Sequence, residues 1–516
     1  MAGQFYMVSR TIPSRLVPSS ALKLIESIGN KLPHPFYIFW ILAGFVLCIS
    51  ELLSLMRAEV IHPTSGDVIQ VKSLISREGI QWVLTSALSN FINFKPLSLV
   101  LAMNLGIGLA KGVGLIETAI CVTLSRVSGN LLTPMVFVIG IVGSLASDAA
   151  IIIIPPLAAM MFQAAGRHPV AGMVAGFAAT SSGFTANFFI TGTDALLSGI
   201  STEAIQSMRP GMEVTPVSNW YFMSLSVLFL AGVGVLISER FVEPGLGSYK
   251  GSYVAAFTPP TRQEKNGLLA AFVAGLLFLL VLCFLILPEG ALLRDSQTGS
   301  IVPSPFLKGI VPLIILFCVL VSVVYGVVAG TIAGSRDIPD KMTESMQEMA
   351  GFLVIAFAMS QFIAYFNWTN LSVWLAVTGG DWLSSVDLSG TLFLMGFLAL
   401  TAFLNLFIVS GSAQWALMAP VFLPMTMVLG YHPAFIQLCF RIADSSTNTI
   451  SPLNVYLPMV LIFLKRYQKT AGLGSLISYM FPYAVGFLLA WVLLLLAWLW
   501  LGWDVGVGGP IYLSGS

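Results

Sequence analysis

Charge is the scarcest commodity in this sequence. Lys and Arg number 24 and Asp and Glu 23, together 9% of 516 residues, where soluble globular proteins carry about 25%. Such a chain cannot coat a water-facing surface, which excludes a soluble multidomain enzyme, and the near balance of signs gives no case for a nucleic-acid partner. Cysteine is sparse too. Cys48, Cys121, Cys283, Cys318 and Cys439 lie in apolar stretches, with neither metal-ligand pairing nor a secreted disulfide framework. They read as small buried hydrophobes. Histidine is rarer still, and His34, His62, His168 and His432 all precede proline, the punctuation of a helix start more than a proton relay. No Walker signature and no loop long enough for a nucleotide-binding domain occurs, so a primary pump is unsupported. No continuous apolar core precedes Phe36, so a cleavable signal peptide is not expected.

What abounds is apolar surface, 57% of residues. A helix needs about 20 mostly apolar residues to cross the hydrocarbon core. Segments 36–56, 221–237, 268–287, 310–330 and 482–501 meet that requirement, and 82–110, 169–200, 349–367 and 433–460 are long enough although Pro, Gly or polar residues interrupt them. Stretches 131–165 and 391–429 are too long for one helix and break at Gly143-Ser144-Leu145-Ala146-Ser147-Asp148 and Ser410-Gly411-Ser412-Ala413-Gln414. Irregular backbone at membrane depth is tolerated only where it lines a cavity or packs on protein, so each stretch reads as a re-entrant helical hairpin. The expected fold is an all-α integral membrane protein with about nine transmembrane helices and two hairpins. With the N-terminus inside, 16 Lys and Arg fall in cytoplasmic loops and seven outside, leaving Arg441 within the membrane.

A shift of 264 positions aligns Pro156 with Pro420, Met161 with Met425, Gly166 with Gly430, His168-Pro169 with His432-Pro433, Ala179 with Ala443, Ser181-Ser182 with Ser445-Ser446, and Thr185 with Thr449. Gly-x-His-Pro followed by Ser-Ser-x-x-Thr is not apolar filler, so we read a true internal repeat. An odd number of crossings separates the copies, which makes them inverted, as in secondary transporters. The chain then divides into a cytoplasmic segment 1–35, a first repeat 36–238 with hairpin 131–165, a connecting region 239–306 containing helix 268–287, a second repeat 307–502 with hairpin 391–429, and a periplasmic tail 503–516.

Charges and amides at membrane depth cost free energy, at least about 2.5 kcal/mol for Asp or Arg at a helix centre, so they are functional candidates. In the first half these are Asp148 at the hairpin tip, Asn187 and Asp194. In the second they are Asn405, Ser412, Gln414 and Trp415 around the hairpin, then Arg441, Asp444, Ser445, Ser446, Thr447, Asn448, Pro452 and Asn454. The break around Pro452 frees carbonyls that suit a cation and exposes N–H groups that suit an anion. Arg441 and Asp444, spaced i, i+3, can form an ion pair, and neutralising one another competes evenly with ligand binding. Asp444 and Asn448, one turn apart, can present oxygens to one Na⁺ together with Asn405. For Asp148 and Asp194, capping a helix end stands level with contact to ion or substrate. Ser412 and Trp415 pair a carboxylate donor with an aromatic platform.

The motifs His-Pro-Phe, Gly-Arg-His-Pro-Val-Ala-Gly (166–172), Phe-Asn-Trp-Thr-Asn (366–370), Ser-Gly-Ser-Ala-Gln-Trp (410–415) and Arg-Ile-Ala-Asp-Ser (441–445) resemble the bacterial p-aminobenzoyl-glutamate transporter (AbgT) family nearly end to end. The resemblance implies a homodimer in the inner membrane and cation-driven movement of p-aminobenzoyl-glutamate, a folate breakdown product, with H⁺ or Na⁺ as coupling ion. It also implies, for some members, export of sulfonamide antimetabolites. It places substrate-binding roles on Asp194, Ser412, Trp415, Arg441, Asp444 and Pro452, and a sodium site on Asn405, Asp444 and Asn448. No cofactor is implied beyond a bound Na⁺. The chain departs from the pattern at Val409, where sodium-binding members are expected to carry Gly, which leaves the choice between Na⁺ and H⁺ open. The ligand's chemistry fits: Arg441, Ser412 and backbone N–H groups can receive two carboxylates while Trp415 stacks on the aminobenzoyl ring.

Other classes fare worse. An ion channel also uses re-entrant segments, but an inverted repeat with two hairpins favours a carrier. A serine hydrolase built on Ser412 needs a nearby base, and every His is expected at a membrane face. Among carriers, p-aminobenzoyl-glutamate import ranks ahead of sulfonamide efflux.

Overall fold

The computed structural model describes residues 33–63, 65–127, 129–146, 148–253, 259–300, 304–385 and 390–513. The basic residues Arg10, Arg15, Lys23 and Lys31, nearly all of segment 1–35 and the end of the tail lie outside the described residues, as does the side chain of Asp148.

Among the described residues, eight helices are long and apolar enough to cross a membrane. Seven coincide with expected crossings: Pro35–Leu55, Arg77–Gly112, Trp220–Leu246, Arg262–Ile286, Ile310–Ala329, Ala350–Trp368 and Leu473–Leu501. The eighth, Gly129–Ala146, is the first arm of the first hairpin. Two further crossings are built from half-helices, Pro169–Ser181 with Gly192–Ile205 and Pro433–Thr447 with Leu457–Tyr467. Each half alone is too short to span the hydrocarbon core.

The second crossing is jointed where the sequence suggested one continuous helix. Arg77–Ile92 ends and Lys95–Gly112 begins around Asn93 and Phe94, because Pro96 has no N–H to give and its ring would meet the carbonyl four residues back. The final helix begins at Leu473, earlier than expected, and carries Pro482 inside it. The chain is not wholly α-helical either: Glu59–Ile61 and Val68–Gln70 pair antiparallel in a small hairpin.

Both predicted hairpins form. Leu132–Val142 turns through a tight 3₁₀ segment, Gly143–Ala146, into Asp148–Ala164, and Gly390–Asn405 turns into Gly411–Val428. The first packs on the broken helix through small residues: a Cβ at Gly140 would lie 2.4 Å from that of Ala179, and one at Gly172 2.5 Å from the carbonyl oxygen of Ala158. Three of the four His-Pro pairs act as helix starts, whereas His62 lies in the turn between the two strands, where its Nδ1 accepts the N–H of Ser65. Nδ1 of His34, His168 and His432 accepts the N–H of Phe36, Val170 and Ala434 respectively.

Long-range ion pairs join residues assigned to the same side of the bilayer. Lys95 meets Glu213 at 2.5 Å on the face assigned outside, and Lys111 meets Glu348 at 2.7 Å on the face assigned inside. Arg167, at the base of the first hairpin, pairs with Glu243 on the face assigned inside. At the base of the second hairpin, the N–H of His432 donates to the carbonyl of Ile511 and that of Leu513 to Gly430, which ties it to the tail on the face assigned outside. The hairpins therefore enter from opposite faces, as two inverted copies require.

Their tips stop at the breaks of the half-helices. Asn187 Nδ2 donates to the carbonyl of Val142 at 3.1 Å, and Ser451 Oγ donates to that of Leu406 at 2.9 Å. Donors and acceptors are the same positions under the 264-residue shift, so one contact is made twice with different chemistry. Between the breaks the copies touch directly: Ser182 Oγ lies 2.7 Å from Thr449 Oγ1 and donates to the carbonyl of Ser446, and Thr185 Oγ1 lies 2.8 Å from Ser445 Oγ. Outside this core the connector Arg262–Ile286 leaves Phe272, Leu276, Leu280 and Phe284 exposed, an apolar face suited to lipid.

Candidate functional site

Arg441 sits on Pro433–Thr447 with 1% of its surface exposed. A guanidinium so deep must be paired, and its partner comes from the other repeat: Nη2 lies 2.7 Å from Asp194 Oδ1. The i, i+3 pair with Asp444 expected from spacing is not the one formed. Helical neighbours compete for an arginine only as far as its rotamer reaches them, and here the guanidinium turns to the broken helix of the first repeat. Nη2 also donates to the carbonyl of Thr185 at 2.8 Å and Nη1 to Asn219 Oδ1 at 3.4 Å.

Asp194 takes the capping role weighed in the sequence, and its free oxygen meets Arg441. It is the third residue of Gly192–Ile205, where its Oδ2 accepts from the N–H and the hydroxyl of Thr191, both at 2.7 Å, closing a capping box. Its other oxygen is left for Arg441. The helix start holds the carboxylate, and the carboxylate holds the guanidinium.

Asp444, one turn on from Arg441, faces the second hairpin. A Cβ on Gly411 would lie 2.9 Å from Asp444 Oδ2, so the missing side chain leaves this carboxylate room at the hairpin tip. Asn405, at the end of the first arm, turns its Nδ2 toward three oxygens: the Asp444 carbonyl at 2.5 Å, Thr447 Oγ1 at 2.9 Å and Asn448 Oδ1 at 3.0 Å. Among the described residues, Asp444 Oδ1, Asn405 Oδ1 and Gln414 Oε1 are buried without a hydrogen-bond partner. Orphaned buried oxygens are costly, and carboxylate and amide oxygens such as those of Asp444 and Asn405 are the ligand type that a hard cation such as Na⁺ takes.

Trp415 is fully buried, 0% exposed, with its ring 4.6 Å from that of Phe440 and its Nε1 donating to Ser201 Oγ at 3.0 Å. In this conformation the indole is closed off instead of offering a free face. Ser412 lies at the partly exposed tip, 3.3 Å from Ser410 Oγ. Pro452 lies in the break after Thr447, flanked by Ser451 and by Asn454, whose Nδ2 donates to the Asn448 carbonyl. Asn187 bonds across to the first hairpin through Val142 and Ser144 Oγ, a tip-packing role. The structure thus gathers Asp194, Arg441, Asp444, Asn405, Asn448 and Trp415 where the repeats meet. Sequence reasoning missed Ser201, Asn219, Gln437, Thr185 and Thr191, all buried neutral groups. The signals were Thr185, matched to Thr449 by the repeat, and Gln437, a turn before Arg441 on the same helix.

With the architecture and the buried groups in place, comparison with known proteins is informative. The chain is 43% identical over 502 residues to the p-aminobenzoyl-glutamate transport protein of Escherichia coli (strain K12), covering 97% of this chain and 99% of that one. The crystal structure of the Alcanivorax borkumensis YdaH transporter superposes with a TM-score of 0.88 at 36% identity, over 92% of this chain and 100% of that one. The structure of Neisseria gonorrhoeae MtrF, described within a class of antimetabolite efflux pumps, superposes with a TM-score of 0.89 at 38% identity, over 93% and 97%. A family model matches residues 20–513. A helical membrane protein with two hairpins, two broken helices and one buried ion pair between its halves belongs, by fold and by sequence, to the AbgT putative transporter family.

Proposed function

We propose that this membrane transporter moves p-aminobenzoyl-glutamate across the bacterial inner membrane as a secondary carrier coupled to H⁺ or Na⁺. The observation that carries the proposal is the Arg441–Asp194 pair, buried at the junction of the repeats. A guanidinium is a bidentate receptor for a carboxylate; Asp194 occupies it in this structure as a stand-in for a carboxylate of the solute. A solute bearing two carboxylates can take that place, with Ser412 and the N–H groups at the start of Gly411–Val428 receiving the other one. The aromatic end lies toward Trp415 once the indole opens, and Pro452 keeps the neighbouring backbone unwound. Asn405, Asp444 and Asn448 receive the coupling cation, whose charge offsets Asp444 as the solute enters. The E. coli relative named for this transport supports the same solute. A neutral sulfonamide has no carboxylate for Arg441, so efflux of sulfonamides is the weaker reading.

The proposed setting is a homodimer with the N-terminus in the cytoplasm and the tail in the periplasm; the orientation is supported by the 16 to seven distribution of basic residues. The test is uptake of labelled p-aminobenzoyl-glutamate into proteoliposomes under separately imposed Na⁺ and H⁺ gradients. Uptake driven above equilibrium by one gradient is expected; no response to either would reject coupled transport.

A further inference from the structure

Trp415 and Arg441 are joined by a continuous run of buried hydrogen bonds through three residues outside the set already assigned. Trp415 Nε1 donates to Ser201 Oγ at 3.0 Å, Ser201 Oγ to Gln437 Oε1 at 2.6 Å, and Gln437 Nε2 to Asn219 Oδ1 at 2.8 Å. Arg441 Nη1 closes the run on that same Asn219 oxygen at 3.4 Å, and Asn219 Nδ2 is anchored on the carbonyl of Ala434 at 2.8 Å. None of the five residues is more than 1% exposed.

The polarity of this run is fixed from both ends. An indole N–H and a guanidinium can only donate. Ser201 must therefore accept from Trp415 and spend its own proton on the Gln437 carbonyl. That leaves the Gln437 amino group to face Asn219, whose oxygen must accept from both sides. No amide in the run can flip without creating a donor–donor or acceptor–acceptor clash in a dry interior, where an unmet polar group is costly. The run also crosses between the second hairpin, the first repeat and the helix of Arg441, so moving any one member disturbs the rest.

We infer that Ser201, Gln437 and Asn219 are positioning residues that couple the aromatic-recognising Trp415 to the carboxylate-recognising Arg441. The run sets specificity for a solute carrying both groups on one frame; this rests on the solute proposed above. When the indole moves to accept a ring, Ser201 loses its donor, Gln437 is freed to rotate, and Asn219 loosens its hold on Nη1. The ring site thereby reports to the carboxylate site without touching the solute.

Two measurements test this. The first needs no solute: the thermal stabilities of purified Trp415→Phe, Asn219→Ser and the double variant. Coupling predicts that the double variant loses clearly less than the sum of the singles; additive losses would overturn the run as a unit. The second uses Ser201→Ala with Ser201→Thr as the conservative control, in proteoliposomes where the unaltered protein takes up p-aminobenzoyl-glutamate. Ser201→Ala is expected to raise half-saturation about 10-fold, the equivalent of one orphaned buried group, with maximal rate within about twofold, and Ser201→Thr to restore it. Free glutamate, which carries carboxylates without the ring, is expected to lose inhibitory potency in Ser201→Ala by a similar factor, although Ser201 does not contact Arg441. Unchanged inhibition by glutamate, or a fall in maximal rate alone, would overturn the positioning role. Failure of the unaltered protein to take up the solute would sink the solute assignment instead and leave the stability cycle to judge the coupling.

Discussion

Asp194 and Arg441 belong to different copies of the repeat, yet their side chains meet at 2.7 Å in the protein interior. The pair is a point at which the two half-structures are joined. Removing one partner leaves a buried charge uncompensated, at a cost of about 3–5 kcal/mol. Arg441→Met and Asp194→Asn are expected to melt well below the unaltered protein and to lose solute uptake. The double variant Arg441→Met/Asp194→Asn is expected to regain most of the thermal stability without regaining uptake. Differential scanning fluorimetry beside a transport assay separates the two effects.

At the proposed cation site, Asp444→Asn keeps the shape and removes the charge. Uptake in this variant is expected to lose its dependence on the driving gradient while solute exchange at equilibrium persists. The check is to compare gradient-driven uptake with counterflow; retained gradient dependence would move the cation elsewhere.

Gly411 gives a finer probe, because a methyl there would stand 2.9 Å from Asp444 Oδ2. Gly411→Ala is expected to raise the cation concentration needed for half-maximal uptake, and Gly411→Val to raise it further, with the carboxylate itself untouched. A cation titration of uptake rate reads this directly.

His432 predicts a pH effect on stability. Its Nδ1 accepts the Ala434 N–H, and burial pushes its pKa down to about 4, against about 6.5 in an unfolded chain. Because the folded pKa is lower, the unfolded state binds the extra proton first. Stability is therefore lost as pH falls from about 6.5 toward 4 and is unaffected above that window. His432→Asn, which keeps a capping acceptor but does not titrate, is expected to flatten this acid-side loss in melting curves taken between pH 4 and 7.5.

The repeat, both hairpins and the polar residues at the breaks were legible in the sequence for one reason: lipid makes polar groups expensive, so those that remain stand out. Arg441, Asp444, Asn405 and Asp194 were found that way. Their partners were not, since spacing along a helix reveals only neighbours on that helix. It pointed Arg441 to Asp444, whereas the true partner arrives from the opposite copy. Ser201, Gln437 and Asn219 escaped notice because a neutral hydroxyl or amide is unremarked until a structure shows what it touches. The joint near Phe94 had a signal, Pro96, outweighed by the apolar residues around it.

The tail after Gly502 carries a consequence for motion. Its backbone is bonded to Val217 and Phe222 through Val507 and Val505, and to Gly430 and His432 through Leu513 and Ile511. It therefore straps the end of one ancestral copy to the hairpin exit of the other. Any swing that preserves these bonds must carry both segments together. A piece that moved with these bonds intact would be a composite, and its border would not follow the line between the two repeats.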